Sequence, residues 1–141
     1  METVSYNDDF YHDRHKRTLF SAKAVLSIVQ EMIPVIGSAV DVGCGVGTWL
    51  SVLEEKGIKD IQGIDGNWMN RKHLVIPLEC FMSHDLSEDL RLTKMYDLAI
   101  SLEVAEQLSS ECTYVYCLSY KYVRHCIIFR CDSRSGRRKP H

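Results

Sequence analysis

Three glycines stand at alternate positions in the stretch VDVGCGVGTW, residues 40–49, directly after an apolar run. Gly43, Gly45 and Gly47 have no Cβ atom to keep a bound molecule away from the backbone, and glycine accepts positive φ angles that other residues avoid. A turn of this composition allows a ligand to lie against the main chain. We therefore expect a binding site at residues 43–47.

Acidic side chains follow the three β-rich runs that come next along the chain, as Asp65, Asp85 and Glu103. The carboxyl ends of parallel strands meet at one edge of a sheet, where open α/β sheets bind their ligands. Asp65 stands about 20 residues past the glycines, a spacing typical of a carboxylate that accepts hydrogen bonds from both hydroxyl groups of a ribose. Together these strand ends predict an adenosine-like ligand.

The spacing of the glycines bears on which adenosine compound is bound. Dinucleotide-binding folds use G-x-G-x-x-G, whose third glycine lets the following helix approach a pyrophosphate. Here the pattern is G-x-G-x-G, the sixth position is Thr48, and the phosphate-binding lysine of a P-loop is missing. The pattern favours a ligand without a pyrophosphate.

Hydrophobic periodicity predicts the elements that position these residues. Apolar residues at three- and four-residue spacing predict a helix over 19–33 and another over 48–56, which Gly57 caps. Strands are predicted at 40–42, 58–64, 80–82, 96–102 and 126–129, with a further helix over 104–115. The order strand, helix, strand within about 30 residues indicates a parallel βαβ unit. We predict an α/β protein, a Rossmann-like three-layer sandwich with a mainly parallel sheet.

The composition and the distribution of apolar residues give no indication of a nucleic-acid-binding, membrane-spanning or secreted protein. The chain has 141 residues, 45% of them hydrophobic and 26% charged, with a formal net charge of −2, which gives no indication of nucleic-acid binding. No apolar run approaches the roughly 20 residues of a membrane span, and residues 1–17 lack the apolar segment of a signal peptide. We expect a cytoplasmic protein without membrane contact, with one domain over 1–131 and a basic tail over 132–141.

Six cysteines are expected to be reduced thiols in such a chain. Four of them form two pairs five positions apart, Cys112 with Cys117 and Cys126 with Cys131. Zinc sites usually use tighter spacings, so we expect no metal site. The basic tail fits a solvated segment better than a binding patch for an anionic partner.

Four segments of the chain, VDVGCGVGTWL, GIDGNW, HDL and YDLAISLEVAEQL, resemble class I S-adenosylmethionine-dependent methyltransferases. The resemblance covers about residues 6–108 and implies S-adenosyl-L-methionine as the cofactor. It implies that the backbone of residues 43–47, Cys44 included, lies along the methionine end and the ribose. Asp41 would support the amino group from below, and Asp65 would accept hydrogen bonds from the ribose.

The resemblance also implies contacts to the adenine. Gly66 and Trp68 would lie near the ring, Asp85 would accept a hydrogen bond from its exocyclic amine, and the amide of Leu86 would meet a ring nitrogen. Asp85 has a simpler alternative, because it could cap a helix that begins near Ser87.

In the same family, Ser101, Leu102 and Glu103 would line the methyl-donor side. Methyl transfer mainly requires an acceptor held in line with the methyl group, and a general base matters when that acceptor is a hydroxyl group. Glu103 and Glu106 are the nearest candidates, but Gln107 stands where related sequences often have histidine. We therefore name no catalytic residue.

The chain departs from the family pattern after Leu108. Only ten residues follow Cys131, too few for the antiparallel strands with which members of the family complete the sheet and shape the acceptor pocket. We expect the C-terminal strands to be missing or altered. This would leave an open strand edge that pairs with another chain, in a homo- or hetero-oligomer.

Two functions stay open at this point. The first is a methyltransferase for a small-molecule or glycan acceptor. The second is a catalytically silent S-adenosylmethionine-binding module that acts through a partner chain. A third interpretation, a nicotinamide-dependent oxidoreductase, is disfavoured by the glycine spacing.

Overall fold

The computed structural model describes residues 3–67, 70–88, 90–102 and 123–128. Helix α1 (Thr3–Met32) precedes the first strand of the sheet, and helix α2 (Thr48–Glu55) follows it. The strands are β1 (Ser38–Val42), β2 (Asp60–Asp65), β3 (Phe81–Ser83), β4 (Tyr96–Ser101) and β5 (Val123–Ile128). Two single 3₁₀ turns, Arg71–His73 and Leu78–Cys80, lie between β2 and β3.

The five strands form one parallel sheet in the order β3-β2-β1-β4-β5. All five residues of β1 are buried, as expected for a central strand that is covered on both faces of a parallel sheet. The chain moves from β1 through β2 to β3 on one side and places β4 and β5 on the other. The strand order therefore reverses between β1 and β4, and the prediction of a Rossmann-like α/β fold is confirmed.

Two apolar clusters pack on opposite faces of the sheet. On one face, α1 and α2 bury aliphatic side chains against the strands, with Leu26, Leu50, Leu53 and Leu98 at its centre. On the other face, the segment before β4 contributes the side chains of residues 90 and 92, which pack against β1 and β2. Burial of a large aliphatic side chain stabilises a fold by about 1.5–3 kcal/mol, so these clusters fix the sheet that supports the site.

Helix α1 is longer than its sequence pattern predicts, because it begins at Thr3 rather than near residue 19. The added turns are rich in charged residues, and those whose exposure is described are mostly solvent-exposed. An exposed helix shows no apolar periodicity, which explains why the pattern did not predict these turns. No helix in the described part of the chain is long and apolar enough to cross a membrane.

The ends of the other elements agree with the sequence pattern to within a few residues. Gly57 has a φ of 97° after α2, and the amide of Ile58 donates to the carbonyl of Leu53 at 3.0 Å, as a left-handed helix cap requires. Strand β5 begins at Val123, three residues before the predicted start. The predicted helix over 104–115 and the basic tail over 132–141 lie outside the described residues and stay predictions.

Candidate functional site

The register of the strands brings the predicted site residues to one edge of the sheet. Val42 of β1 lies opposite Ile64 of β2. Gly43, which follows β1, is therefore level with Asp65, the last residue of β2. Asp65 in turn lies opposite Ser83 at the end of β3. The ends of three neighbouring strands therefore open onto one rim, beside the point where the strand order reverses.

The glycine loop over residues 43–47 is held in shape by main-chain hydrogen bonds. The amides of Gly43 and Cys44 both donate to the carbonyl of Ile64, at 2.7 and 3.2 Å, and the amide of Gly47 donates to the carbonyl of Cys44 at 3.0 Å. Gly45 and Gly47 have φ angles of 56° and 89°, in the left-handed region that favours glycine. The loop thus requires glycine at these positions for its backbone conformation.

The Asp65 carboxylate lies directly against this loop. Its Oδ2 atom accepts a hydrogen bond from the Gly45 amide at 2.7 Å, and its Oδ1 atom accepts one from the Gly66 amide at 2.8 Å. The residue is only 5% exposed. Each carboxylate oxygen can accept more than one hydrogen bond, so Asp65 shapes the loop and can still bind a ligand at the rim.

The space beside the glycine loop is open at Gly45 and closed at Gly47. A Cβ atom added to Gly45 would meet no heavy atom of the described residues within 4 Å. A Cβ atom added to Gly47 would lie 2.9–3.1 Å from three carbon atoms of the Ile76 side chain. Within the described part of the chain, the opening next to the Asp65 carboxylate is therefore located at Gly45, and no bulky side chain separates these two residues.

The segment between the two 3₁₀ turns covers the far end of the glycine loop. The Val75 amide donates to the Val46 carbonyl at 2.9 Å, and the buried side chain of Ile76 packs against Gly47 and Gly63. The sequence pattern gave no indication of this contact. It means that the loop is supported from β2 on one side and from residues 75–76 on the other.

Two predicted site residues are buried, Asp41 in β1 before the loop and Cys44 within it. Cys44 is buried against Phe81, and burial raises the pKa of its thiol, with the charges of Asp41 and Asp65 adding to the effect. The thiol therefore stays protonated, and only the Cys44 backbone is available to a ligand. Asp41 is also buried, in β1 just before the glycine loop, and its expected support of the amino group stays a prediction.

Asp85 and Leu86 follow β3. The Oδ1 atom of Asp85 accepts hydrogen bonds from the Ser87 hydroxyl at 2.7 Å and the Ser87 amide at 3.0 Å, and these bonds lower the pKa of the Asp85 carboxyl. The Glu88 amide donates to the Asp85 carbonyl at 3.0 Å, which closes a turn rather than beginning a helix. Leu86 is half-buried against the cluster on the second face of the sheet.

The methyl-donor side of the predicted site is described only up to residue 102. Ser101 is buried at the end of β4, and Leu102 is half-buried against the cluster beneath α1 and α2. Trp68 and Glu103 lie outside the described residues, so their proposed contacts stay predictions. Among the described residues, no group of three or more His, Cys, Asp and Glu side chains is placed to hold a metal ion.

Comparison with known protein families shows the family to which the chain belongs. A family model described as a methyltransferase domain matches residues 11–115, which is more than half of the chain. The chain belongs to the methyltransferase domain family. The resemblance to S-adenosylmethionine-dependent methyltransferases is thereby confirmed, whereas no curated protein sequence matches the chain.

Several solved methyltransferase structures share the fold. DesVI of Streptomyces venezuelae is 24% identical with a TM-score of 0.52, and the match covers 72% of this chain and 43% of DesVI. The plantazolicin methyltransferase BpumL, solved in complex with SAH, is 20% identical with a TM-score of 0.58, covering 86% and 49%. The methyltransferase domain of bacterial CtHen1 is 20% identical with a TM-score of 0.58, covering 75% and 62%. The chain thus spans between 43% and 62% of these proteins.

One contact of this methyltransferase domain was missed by sequence reasoning, which assigned no role to His15. The Nδ1 atom of His15 lies 2.8 Å from the hydroxyl oxygen of Thr48, the first residue of α2 after the glycine loop. This hydrogen bond joins two residues that are 33 positions apart. It links the amino-terminal half of α1 to the first residue of α2. No local sequence pattern predicts a contact of this kind.

His15 should make the fold less stable in weak acid. Burial lowers the pKa of its imidazole, and the nearby His12 lowers it further. The unfolded chain, with an ordinary histidine pKa of about 6.5, therefore binds the proton more readily. The contribution of His15 to the free energy of unfolding is complete above about pH 6.5. It decreases as the pH falls toward the lower pKa that His15 has in the folded chain.

Replacement of His15 by Gln should remove this pH dependence and lower stability at pH 7.5 by about 0.5–1.5 kcal/mol, the net value of one hydrogen bond. Urea unfolding midpoints at pH 7.5 and 5.5 measure both effects. His125→Gln, on the exposed edge of β5, serves as a control that leaves the contact between α1 and α2 intact. An identical loss of stability on acidification in the native chain and His15→Gln would contradict the assignment.

Proposed function

We propose that this chain binds S-adenosyl-L-methionine and transfers its methyl group to a small-molecule or glycan acceptor. The main support is the position of the Asp65 carboxylate at the rim of the open space beside Gly45. Ribose hydroxyl groups need an acceptor at this rim, and a backbone without a Cβ atom lets the sugar approach. Membership of the methyltransferase domain family supports the same proposal.

The described residues would hold the donor molecule at two places. Asp65 would accept hydrogen bonds from the ribose hydroxyl groups while it keeps its bonds to the two glycine amides. Gly47 is the N-cap of α2 and has no side chain to bind the first amides of that helix. A helix N-terminus favours an anionic group, so the first turn of α2 would hold the methionine carboxylate.

The charges around the loop also suit a cationic ligand. The donor has a positively charged sulfonium and amino group. Asp41 lies just before the glycine loop and Asp65 lies beside it, both close enough to raise the pKa of Cys44. Two carboxylates at a partly desolvated rim attract a cation and disfavour a dinucleotide phosphate, because unlike charges attract strongly where water is scarce.

The bound donor would supply an activated methyl group on sulfur. The protein would then mainly position the acceptor and exclude water. BpumL, which shares the fold, has been solved with desmethylPZN analogs and SAH, and this supports the proposal of a small-molecule acceptor for the present chain. The catalytically silent module remains the alternative, and the cytoplasmic location expected from the composition is part of this proposal.

Calorimetric titration tests the cofactor. S-adenosylmethionine and SAH should bind with micromolar dissociation constants, whereas NAD should show no heat of binding at the same concentrations. Gly45→Ala is the matched variant, since its methyl group occupies the open space without meeting another atom of the described residues, while the left-handed φ of 56° lowers its stability by about 1–2 kcal/mol. It should fold and lose at least about tenfold in affinity, or about 1.4 kcal/mol. Tighter binding of NAD than of S-adenosylmethionine would refute the proposal.

Methyl transfer is tested separately. Release of S-adenosylhomocysteine is measured across a panel of small-molecule and glycan acceptors, with Gly45→Ala as the negative control. Turnover that depends on both the acceptor and the native Gly45 would support the enzyme. Tight cofactor binding without turnover on any acceptor would favour the silent module.

A further inference from the structure

Helix α1 exposes large apolar side chains on the side that faces away from the sheet. Phe20, Ile28 and Met32 are 80%, 59% and 77% exposed. The opposite side of the same helix buries its own apolar residues in the core, with Ala22 and Leu26 fully buried. A helix that is apolar on both sides is normally covered on both sides, and a row of exposed apolar residues marks an interaction surface.

The exposed residues form a defined surface, which we call the outer stripe: Arg17, Phe20, Ala24, Ile28 and Glu31. All five are solvent-exposed. At 3.6 residues per turn they fall within an arc of about 80°, centred about 180° from the middle of the buried side. The outer stripe is thus apolar along its middle, with a cation at one end and an anion at the other.

The outer stripe is complementary to itself in one arrangement. If two α1 helices pack antiparallel about a two-fold axis at Ala24, Phe20 of each copy lies opposite Ile28 of the other. Arg17 then lies opposite Glu31 of the second copy, on both sides of the axis. We propose that the outer stripe is the interface of a homodimer, in which α1 pairs antiparallel with α1 of a second copy of this chain.

The antiparallel arrangement is favoured by the charges at the ends of the outer stripe and by the small side chain at its centre. A parallel pair would place Arg17 beside Arg17 and Glu31 beside Glu31, and like charges across an interface are unfavourable. Ala24 at the crossing point lets the helices approach to the 8–10 Å that packed helices adopt. The same surface serves both copies, as a two-fold interface requires. The dimer does not depend on the proposed function.

A charge-reversal cycle tests the antiparallel register. Sedimentation equilibrium of the native chain should show a concentration-dependent dimer. Arg17→Glu and Glu31→Arg should each raise the dissociation constant about tenfold, because each converts two attractive contacts into repulsive ones. The double variant restores the opposite charges and should return to within about threefold of the native value. Circular dichroism and thermal unfolding confirm that each exposed substitution leaves the fold intact.

Cross-linking provides a second test that does not depend on affinity. Ala24→Cys places two thiols at the two-fold axis and should form an intermolecular disulfide under mild oxidation. The native chain and Lys23→Cys, whose thiol is exposed on the flank of the helix, should not cross-link under the same conditions. A monomer at all concentrations would overturn the proposal. A dimer insensitive to the charge reversals, as expected for pairing through the edge of β5, would also overturn it.

Discussion

Replacing Asp65 with Ala should weaken the binding of S-adenosylmethionine by at least about 100-fold, or about 2.7 kcal/mol. The proposed site gives this carboxylate two ribose hydroxyl groups to bind, and hydrogen bonds to a charged group contribute about 1.5–3 kcal/mol each. No other carboxylate of the described residues accepts a hydrogen bond from the Gly45 amide. Calorimetric titration with S-adenosylmethionine and SAH measures the change.

The same substitution should also destabilise the fold by about 1–3 kcal/mol, because it leaves the Gly45 and Gly66 amides without their present acceptor. The sequence indicated only a ligand contact for Asp65, and the two hydrogen bonds now add a structural role. Asp65→Asn keeps an acceptor oxygen for only one of the two amides, turns an NH₂ group toward the other, and removes the charge. Its unfolding free energy should therefore lie between those of the native chain and Asp65→Ala. Native affinity in a folded Asp65→Ala protein would exclude the ribose contact.

Gly47→Ala should lower the free energy of unfolding by about 2–5 kcal/mol. A φ of 89° costs a residue with a side chain about 1–2 kcal/mol. The added methyl group would also press against the Ile76 side chain at 2.9–3.1 Å, and overpacking a buried position adds about 1–3 kcal/mol. Urea unfolding monitored by circular dichroism gives the value.

Gly57→Ala is a matched control that measures the cost of the positive φ alone. Gly57 has a similar φ of 97°, but a Cβ atom there would meet no atom of the residues that the structure describes within 4 Å. We expect it to cost only about 1–2 kcal/mol. A double-mutant cycle with Ile76→Ala should then show a favourable coupling of about 1 kcal/mol or more, because the smaller side chain makes room for the methyl group. Equal losses for Gly47→Ala and Gly57→Ala would mean that Ile76 moves aside freely.

The sheet and the rim were predictable from local patterns. The β-branched residues of runs such as VDV and IDG favour strands, and these runs lead into glycine or acid. The strands, their parallel arrangement and the meeting of Gly43 with Asp65 therefore follow from general rules of α/β folds. Helix α2 and its cap at Gly57 follow equally, because an apolar stripe and a left-handed glycine are both local features.

The contacts that lacked a local pattern were not predictable. The His15 and Thr48 contact joins distant parts of the chain, and the packing of Ile76 on Gly47 depends on how residues 70–80 cross the loop. The double role of Asp65 was hidden for a related reason, since sequence spacing suggests a ligand contact but does not show which amides the carboxylate already binds. Tertiary packing determines all three.

The glycine loop is supported on both sides, by the Ile64 carbonyl and Asp65 from β2 and by the Val75 and Ile76 segment from above. An incoming ligand therefore meets a backbone that has already lost its conformational freedom. Preorganised loops spend little configurational entropy on association. Substitutions in residues 75–76, which need not touch the ligand at all, should thus affect affinity through the cost of reordering the loop.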